Sequence, residues 1–171
     1  MDVEFTKGER ADRIEARRAD GTVAAFGLPK KGPVPHDAVH LFVEEALSVT
    51  EGFWGQIARG VEPDALQEMA KLAGHASASR ARVPDPSIVA IVQAERIVEA
   101  FEADLWGGGS DNESLRAMVE AGCQQSLVPP LNLSDATIDR VRDRLAQFRD
   151  DWQRMAPGAS VNFVWPEGHL A

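Results

Sequence analysis

TVAAFGLPKKGPVPHDAVHLFVEEAL, Thr22 to Leu47, is the stretch whose reading decides the fold. Thr22 to Leu28 reads as a strand. Pro29, Gly32, Pro33 and Pro35 then read as a stiff connector that cannot sit in a sheet, because proline lacks the N–H a ladder needs. From His36 the apolar residues Val39, Phe42, Val43, Ala46 and Leu47 recur at three and four, the period of a helix ending near Ser48. A sheet segment therefore gives way to a helical body inside one short stretch, the mark of an α+β chain.

Towards the N-terminus the alternation continues. Val3 and Phe5 alternate with Glu4 and Thr6, Lys7-Gly8 marks a turn, and Ile14, Ala16 and Arg18 alternate with Arg13, Glu15 and Arg17. Asp20-Gly21 predicts a type I′ hairpin turn, which needs positive φ at both central positions. Towards the C-terminus, Gly52-Phe53-Trp54-Gly55 opens a short helix stopping at Gly60. Pro63 suits a first helical position and Gly74 a C-terminal cap. His75 to Asp85 reads as the longest loop. Pro86 begins a helix with apolar residues all around it (Ile88, Ile91, Val92, Ile97, Val98, Phe101), hence a buried one. It stops at Gly107-Gly108-Gly109, and Ser110 with Glu113 has the spacing of a capping box for a fifth helix running to about Gly122.

Ser134 caps the last helix, whose narrow seam is Ile138, Val141, Leu145, Phe148, Trp152 and Met155. That seam can pack on the sheet or pair with a second subunit, a homodimer through residues 135–155. Val161, Phe163 and Trp165 alternate as a strand expected to rejoin the sheet. The fold class is α+β: a small antiparallel sheet, three N-terminal strands plus a C-terminal one, packed against five or six helices. One domain covers 1–171, with a sheet segment over 1–31, a helical body over 36–155 and a returning strand over 160–166.

The 171 residues are 44% hydrophobic and 26% charged, with net charge -9. That hydrophobic fraction excludes disorder, and no apolar run reaches the about 18 residues of a membrane span. The first residues, Met1-Asp2-Val3-Glu4-Phe5, lack the basic and apolar regions of a secretory signal. One cysteine, Cys123, has no internal disulfide partner. Together these predict a soluble cytoplasmic protein. Residues 1–31 sum to +1 and the rest to -10, a balance that argues against general binding to nucleic acid.

One constellation carries chemistry. In Pro35-His36-Asp37-Ala38-Val39-His40-Leu41-Phe42-Val43-Glu44, His36 and His40 stand four apart on one helical face, and Glu44 continues the row at the edge of the apolar stripe. Two such imidazoles can bind one divalent metal such as zinc, with Glu44 adding an oxygen ligand. His-Asp-x-x-His is similar to the zinc-peptidase His-Glu-x-x-His motif with the acid one methylene shorter. The resemblance implies Asp37 as the base that activates a metal-bound water. His75, Glu95, Glu99 and His169 have the right chemistry for a further ligand. The competing reading is that Asp37 favours the helix dipole while His36 and His40 cover the core edge and bond to carbonyls.

Elsewhere the signals are structural. The aromatics of Gly52-Phe53-Trp54-Gly55 suit a core whose glycines allow close backbone approach. Gly107–Gly109 lacks the lysine of a phosphate-binding loop. Cys123, Ser77, Ser79 and Ser126 have no nucleophile setting.

Asp20-Gly21, Pro35-His36-Asp37-Ala38-Val39-His40 and Gly52-Phe53-Trp54-Gly55 together resemble a family of small uncharacterised bacterial proteins with no established activity, a resemblance over the first third of the chain. It implies a bacterial protein and assigns no catalytic residue. Two functions compete: a non-enzymatic binding or interaction module, and a metal-dependent hydrolase built on His36, His40 and Glu44.

Overall fold

The structure, a computed structural model, describes residues 1–72, 83–109 and 111–166. His75, Gly74, Ser110, His169 and most of the expected 75–85 loop lie outside these.

Three N-terminal strands, β1 (Asp2–Thr6), β2 (Ala11–Arg17) and β3 (Val23–Pro29), join one C-terminal strand, β4 (Ser160–Val164), in an antiparallel sheet of order β3-β2-β1-β4. Among the described residues six α-helices lie between β3 and β4: α1 (His36–Leu47), α2 (Phe53–Ala58), α3 (Pro63–Leu72), α4 (Val89–Trp106), α5 (Asn112–Gln125) and α6 (Asp135–Arg154). The chain is thus α+β with three strands before the helices and one after. None of these helices is long and apolar enough to cross a membrane.

The alternation sets the sheet's two faces. Val3, Phe5, Ile14, Ala16 and Ala24 are buried against the helices, while Arg13 and Arg17 point to solvent. Phe5 is the hub, meeting Trp54, Phe148 and Phe163 edge-on with ring centroids 6.0, 6.3 and 5.9 Å away. Such pairs hold α2, α6 and β4 to one point of the sheet. Helix α1 packs on both α4 and α6, and α4 also packs on α5.

Local readings hold with four corrections. The Asp20-Gly21 turn is a three-residue loop and not a type I′ turn. Gly21 has φ +85°, but Asp20 does not have positive φ, and Arg18 N–H bonds to Thr22 C=O at 2.9 Å. The Asp20 carboxylate explains the choice, since it accepts from the Thr22 N–H and hydroxyl at 2.9 and 2.7 Å. Pro29 is the last residue of β3, opposite Ala11, which an edge strand tolerates. Asp111 caps α5 by accepting from Ser114 N–H at 2.8 Å, and the helix runs on to Gln125. The α6 seam from Ile138 to Trp152 faces the chain's own core, buried at all five positions, with Met155 half-buried.

Candidate metal centre

Helix α1 starts directly after Pro35 with no side-chain cap, and Asp37 in its first turn meets the positive end of the dipole. Its 3.6-residue period puts His36, His40 and Glu44 in one row. The row is deeper than its sequence position suggests: His40 is 3% and Glu44 0% exposed, and only His36 is half-buried.

Helix α4 supplies the facing row. Glu95 and Glu102 lie seven apart, two turns along one face of that helix. Oε2 of Glu95 sits between the imidazoles, 3.1 Å from His40 Nε2 and 3.7 Å from His36 Nε2. Each imidazole turns its other nitrogen to a carboxylate of its own: His40 Nδ1 lies 2.9 Å from Glu44 Oε1, and His36 Nδ1 2.9 Å from Glu102 Oε1. The rings meet edge-on with centroids 4.9 Å apart.

Glu44 faces away from this junction. Its Oε1 also accepts from Phe53 N–H at 2.9 Å, and its Oε2 from Trp54 N–H at 3.0 Å. The carboxylate therefore closes the first turn of α2 and orients His40 from behind. Glycine makes this possible: a Cβ on Gly52 would lie 2.6 Å from the Glu44 carboxyl carbon. Two turns back along α1, Trp54 Nε1–H donates to the Asp37 carbonyl at 2.9 Å.

Three donors, His36, His40 and Glu95, each offer a ligand atom within 4.8 Å of the others, the grouping a cation needs. A tetrahedral ion about 2.1 Å from each donor wants them about 3.4 Å apart, so the side chains draw in by about an ångström. Glu95, expected only from its chemical type, takes the position expected of Glu44. Glu99 is exposed and pairs with Arg96 at 2.8 Å, outside the trio. Glu102 was not foreseen. Its spacing of seven from Glu95 puts both on one face of α4, but Glu99 and Asp104 stand in the same helix, so spacing alone does not pick out the pair.

The charges are strongly coupled. Burial lowers the pKa of both imidazoles, yet the carboxylates outweigh it. Glu102 and Glu95 raise His36 to about 10, and Glu44 and Glu95 raise His40 to about 9. Burial also raises Glu95, but the two histidines overcome it and hold that carboxyl well below the usual range. Burial pushes Glu44 up against the pull of His40 and the two N–H donors. Asp37, buried near both histidines, is raised to about 6 by desolvation.

A pH dependence follows. A histidine whose folded pKa exceeds its ordinary 6.5 stabilises the fold fully below that pH and ceases to as pH climbs through the folded value. In chelator-treated protein the unfolding free energy should fall between about pH 6.5 and 10, largely through His36 and His40. Urea titrations across that range check it, and a flat profile would show the cluster is not charged in the fold.

The chain matches no family model, no curated protein and no solved structure.

Proposed function

We propose that the protein binds one divalent cation through His36 Nε2, His40 Nε2 and a Glu95 carboxylate oxygen. The observation that carries this reading is the shared direction of the two rings. Both imidazoles aim Nε2 at the same carboxylate, while each Nδ1 rests on a separate one. This carboxylate–histidine arrangement is how metal-ligating imidazoles are oriented and made more basic. In this reading Glu44 stands behind His40 and Glu102 behind His36, which their hydrogen bonds support.

Charge favours a divalent ion. With both rings protonated, two extra protons sit among Glu44, Glu95 and Glu102. A divalent cation replacing one Nε2 proton on each ring leaves the total unchanged, so no new buried charge must be neutralised. Two imidazoles and a carboxylate suit zinc, and a three-ligand site keeps a position open.

Metal analysis of protein purified without chelator or affinity nickel tests the proposal. About one equivalent of zinc per chain is expected, with about two protons released per ion on reloading near pH 7.5, read as the buffer dependence of the calorimetric heat. His36→Ala and His40→Ala should each weaken binding by about 100-fold or more. A wild-type chain that neither retains nor takes up a stoichiometric metal overturns it.

A hydrolytic use is the second reading. His36 leaves one flank of the site open to solvent, and Asp37, raised to about 6, titrates in the range of a general base. Turnover of ester, amide or phosphoester substrates by zinc-loaded protein, lost in Asp37→Asn with metal retained, separates a hydrolase from a non-enzymatic binding module. A cytoplasmic location goes with both, since the single thiol, Cys123, is buried and unpaired.

A further inference from the structure

We infer that β4 is the contact strand of a homodimer, in which two copies of the chain join their sheets edge to edge about a twofold axis through Asn162.

Main-chain parity comes first. Met1 and Trp165 exchange two hydrogen bonds, the terminal ammonium donating to Trp165 C=O at 3.1 Å and Trp165 N–H to Met1 C=O at 2.8 Å. Lys7 N–H donates to Ala159 C=O at 2.9 Å at the other end of the ladder. Odd-numbered residues of the returning strand therefore turn their main chain to β1. The N–H and C=O groups of Ser160, Asn162 and Val164 point out of the sheet, because β4 is its last strand. Natural edges are usually blunted by lysine, proline or a bulge. β3 ends on Pro29 and runs into Lys30 and Lys31, whereas Ser-Val-Asn-Phe-Val itself has neither charge nor proline, the first proline being Pro166 two residues past the strand, and Val164 is 70% exposed.

The edge is also self-complementary. Antiparallel pairing with a second copy, centred on Asn162, sets Asn162 against Asn162 of the second copy and Ser160 against Val164 of the second copy. All three outward main-chain positions are then matched in one register. On the helix face Val161 falls opposite Phe163 of the second copy, in a non-hydrogen-bonded pair where side chains come closest. Those two residues form one wall of an open cleft of about 230 Å³, whose remaining apolar lining includes Phe42, Phe148, Trp152 and Met155. The twofold brings two such clefts together and closes apolar surface that one copy leaves open.

Electrostatics chooses a second copy as the occupant. A chain of charge -9 repels itself over most of its surface. Two stretches escape this, residues 1–31 at +1 and residues 135–165 at zero, where Asp135, Asp139, Asp143, Asp150 and Asp151 are balanced by Arg140, Arg142, Arg144, Arg149 and Arg154 and nothing after Arg154 in that range is charged. The open edge and the cleft lie within this neutral stretch, apart from Phe42. The contact runs along β4, with α6 beside it, and leaves the α6 seam in the core.

Light scattering and sedimentation of the full chain, with oxidation of Asn162→Cys, test the inference. Hydrogen-bonded antiparallel partners have Cα atoms about 5.5 Å apart, within reach of a disulfide. Twice the 18.6 kDa chain mass and near-complete cross-linking of Asn162→Cys are expected, with buried Cys123 not competing. Asn162→Pro spares the β1 ladder and should raise the dimer dissociation constant about 30-fold by removing two inter-chain hydrogen bonds. Val164→Lys should raise it as well, by setting a charge on the edge, and both variants should keep wild-type circular dichroism. A monomer at about 200 µM overturns the inference, since a specific dimer with this much edge pairing forms well below that. A dimer that ignores both substitutions and does not cross-link also overturns it.

Discussion

Glu44→Ala should lower the unfolding free energy by about 3–5 kcal/mol, the cost of breaking a buried ion pair from one side. Three donors converge on this fully buried carboxylate: His40 Nδ1–H, Phe53 N–H and Trp54 N–H. Alanine leaves all three without an acceptor and leaves the His40 charge leaning on Glu95 alone. Desolvation makes each orphaned group costly, which is why the effect exceeds that of an ordinary hydrogen bond. Urea denaturation measures it, with Glu45→Ala as the neighbouring control. Glu45 pairs with Arg144 at 2.8 Å, but both are about one-third exposed, so its loss should cost less than about 1 kcal/mol. If the two substitutions cost the same, Glu44 is not the anchor. In the same variant zinc affinity should fall about 10- to 100-fold, the usual consequence of removing the partner that orients a ligating imidazole.

Gly55→Ala should be at least as damaging, about 4 kcal/mol or more, through mechanics alone. A Cβ on Gly55 would lie 1.8 Å from the Thr50 carbonyl oxygen and 2.5 Å from its carbon. The obstacle is backbone, so no rotamer relieves it, and α2 has to move bodily away from the 48–51 turn. Such a shift takes Trp54, fully buried against Phe5, out of the core, and removes the Phe53 and Trp54 N–H groups from Glu44. Loss of soluble protein, or a thermal midpoint lowered by well over 10 °C, is the expected readout. Survival near the wild-type midpoint would mean α2 docks less tightly than the geometry states.

These two positions also show what was legible in the sequence. Two glycines bracketing Phe53-Trp54 announce close backbone approach, and at Gly55 the approach is to Thr50 and at Gly52 to Glu44. The switch of period across Pro29–Pro35 was enough to separate sheet from helical body, because one-sided burial writes itself into residue spacing. The same logic located the His36, His40, Glu44 row. It could not assign Glu44, since a carboxylate on an apolar boundary can equally ligate an ion or hold a helix end. Only the arrival of α2 from ten residues downstream decides between them. Glu95 and Glu102 were harder still, because a contact between α1 and α4 is set by packing of the whole body and leaves no local spacing signal. The turn at Asp20-Gly21 failed for a smaller reason: an aspartate that hydrogen-bonds its own backbone competes with the left-handed conformation assumed for it.

The pairing of β1 with β4 has a consequence in time. Val3 aligns with Phe163 and Phe5 with Val161, partners separated by nearly the whole chain. Bringing such distant segments together costs loop entropy that only an already collapsed body can offset. The ladder between them should therefore be the last piece of structure to zip, after β1–β2–β3 and the helices have assembled. Until it does, β1 itself is the bare border of a three-stranded sheet, with the Phe5 ring uncovered on its Phe163 side. The most aggregation-prone moment in this protein's life thus falls late in folding, just before its final strand seats.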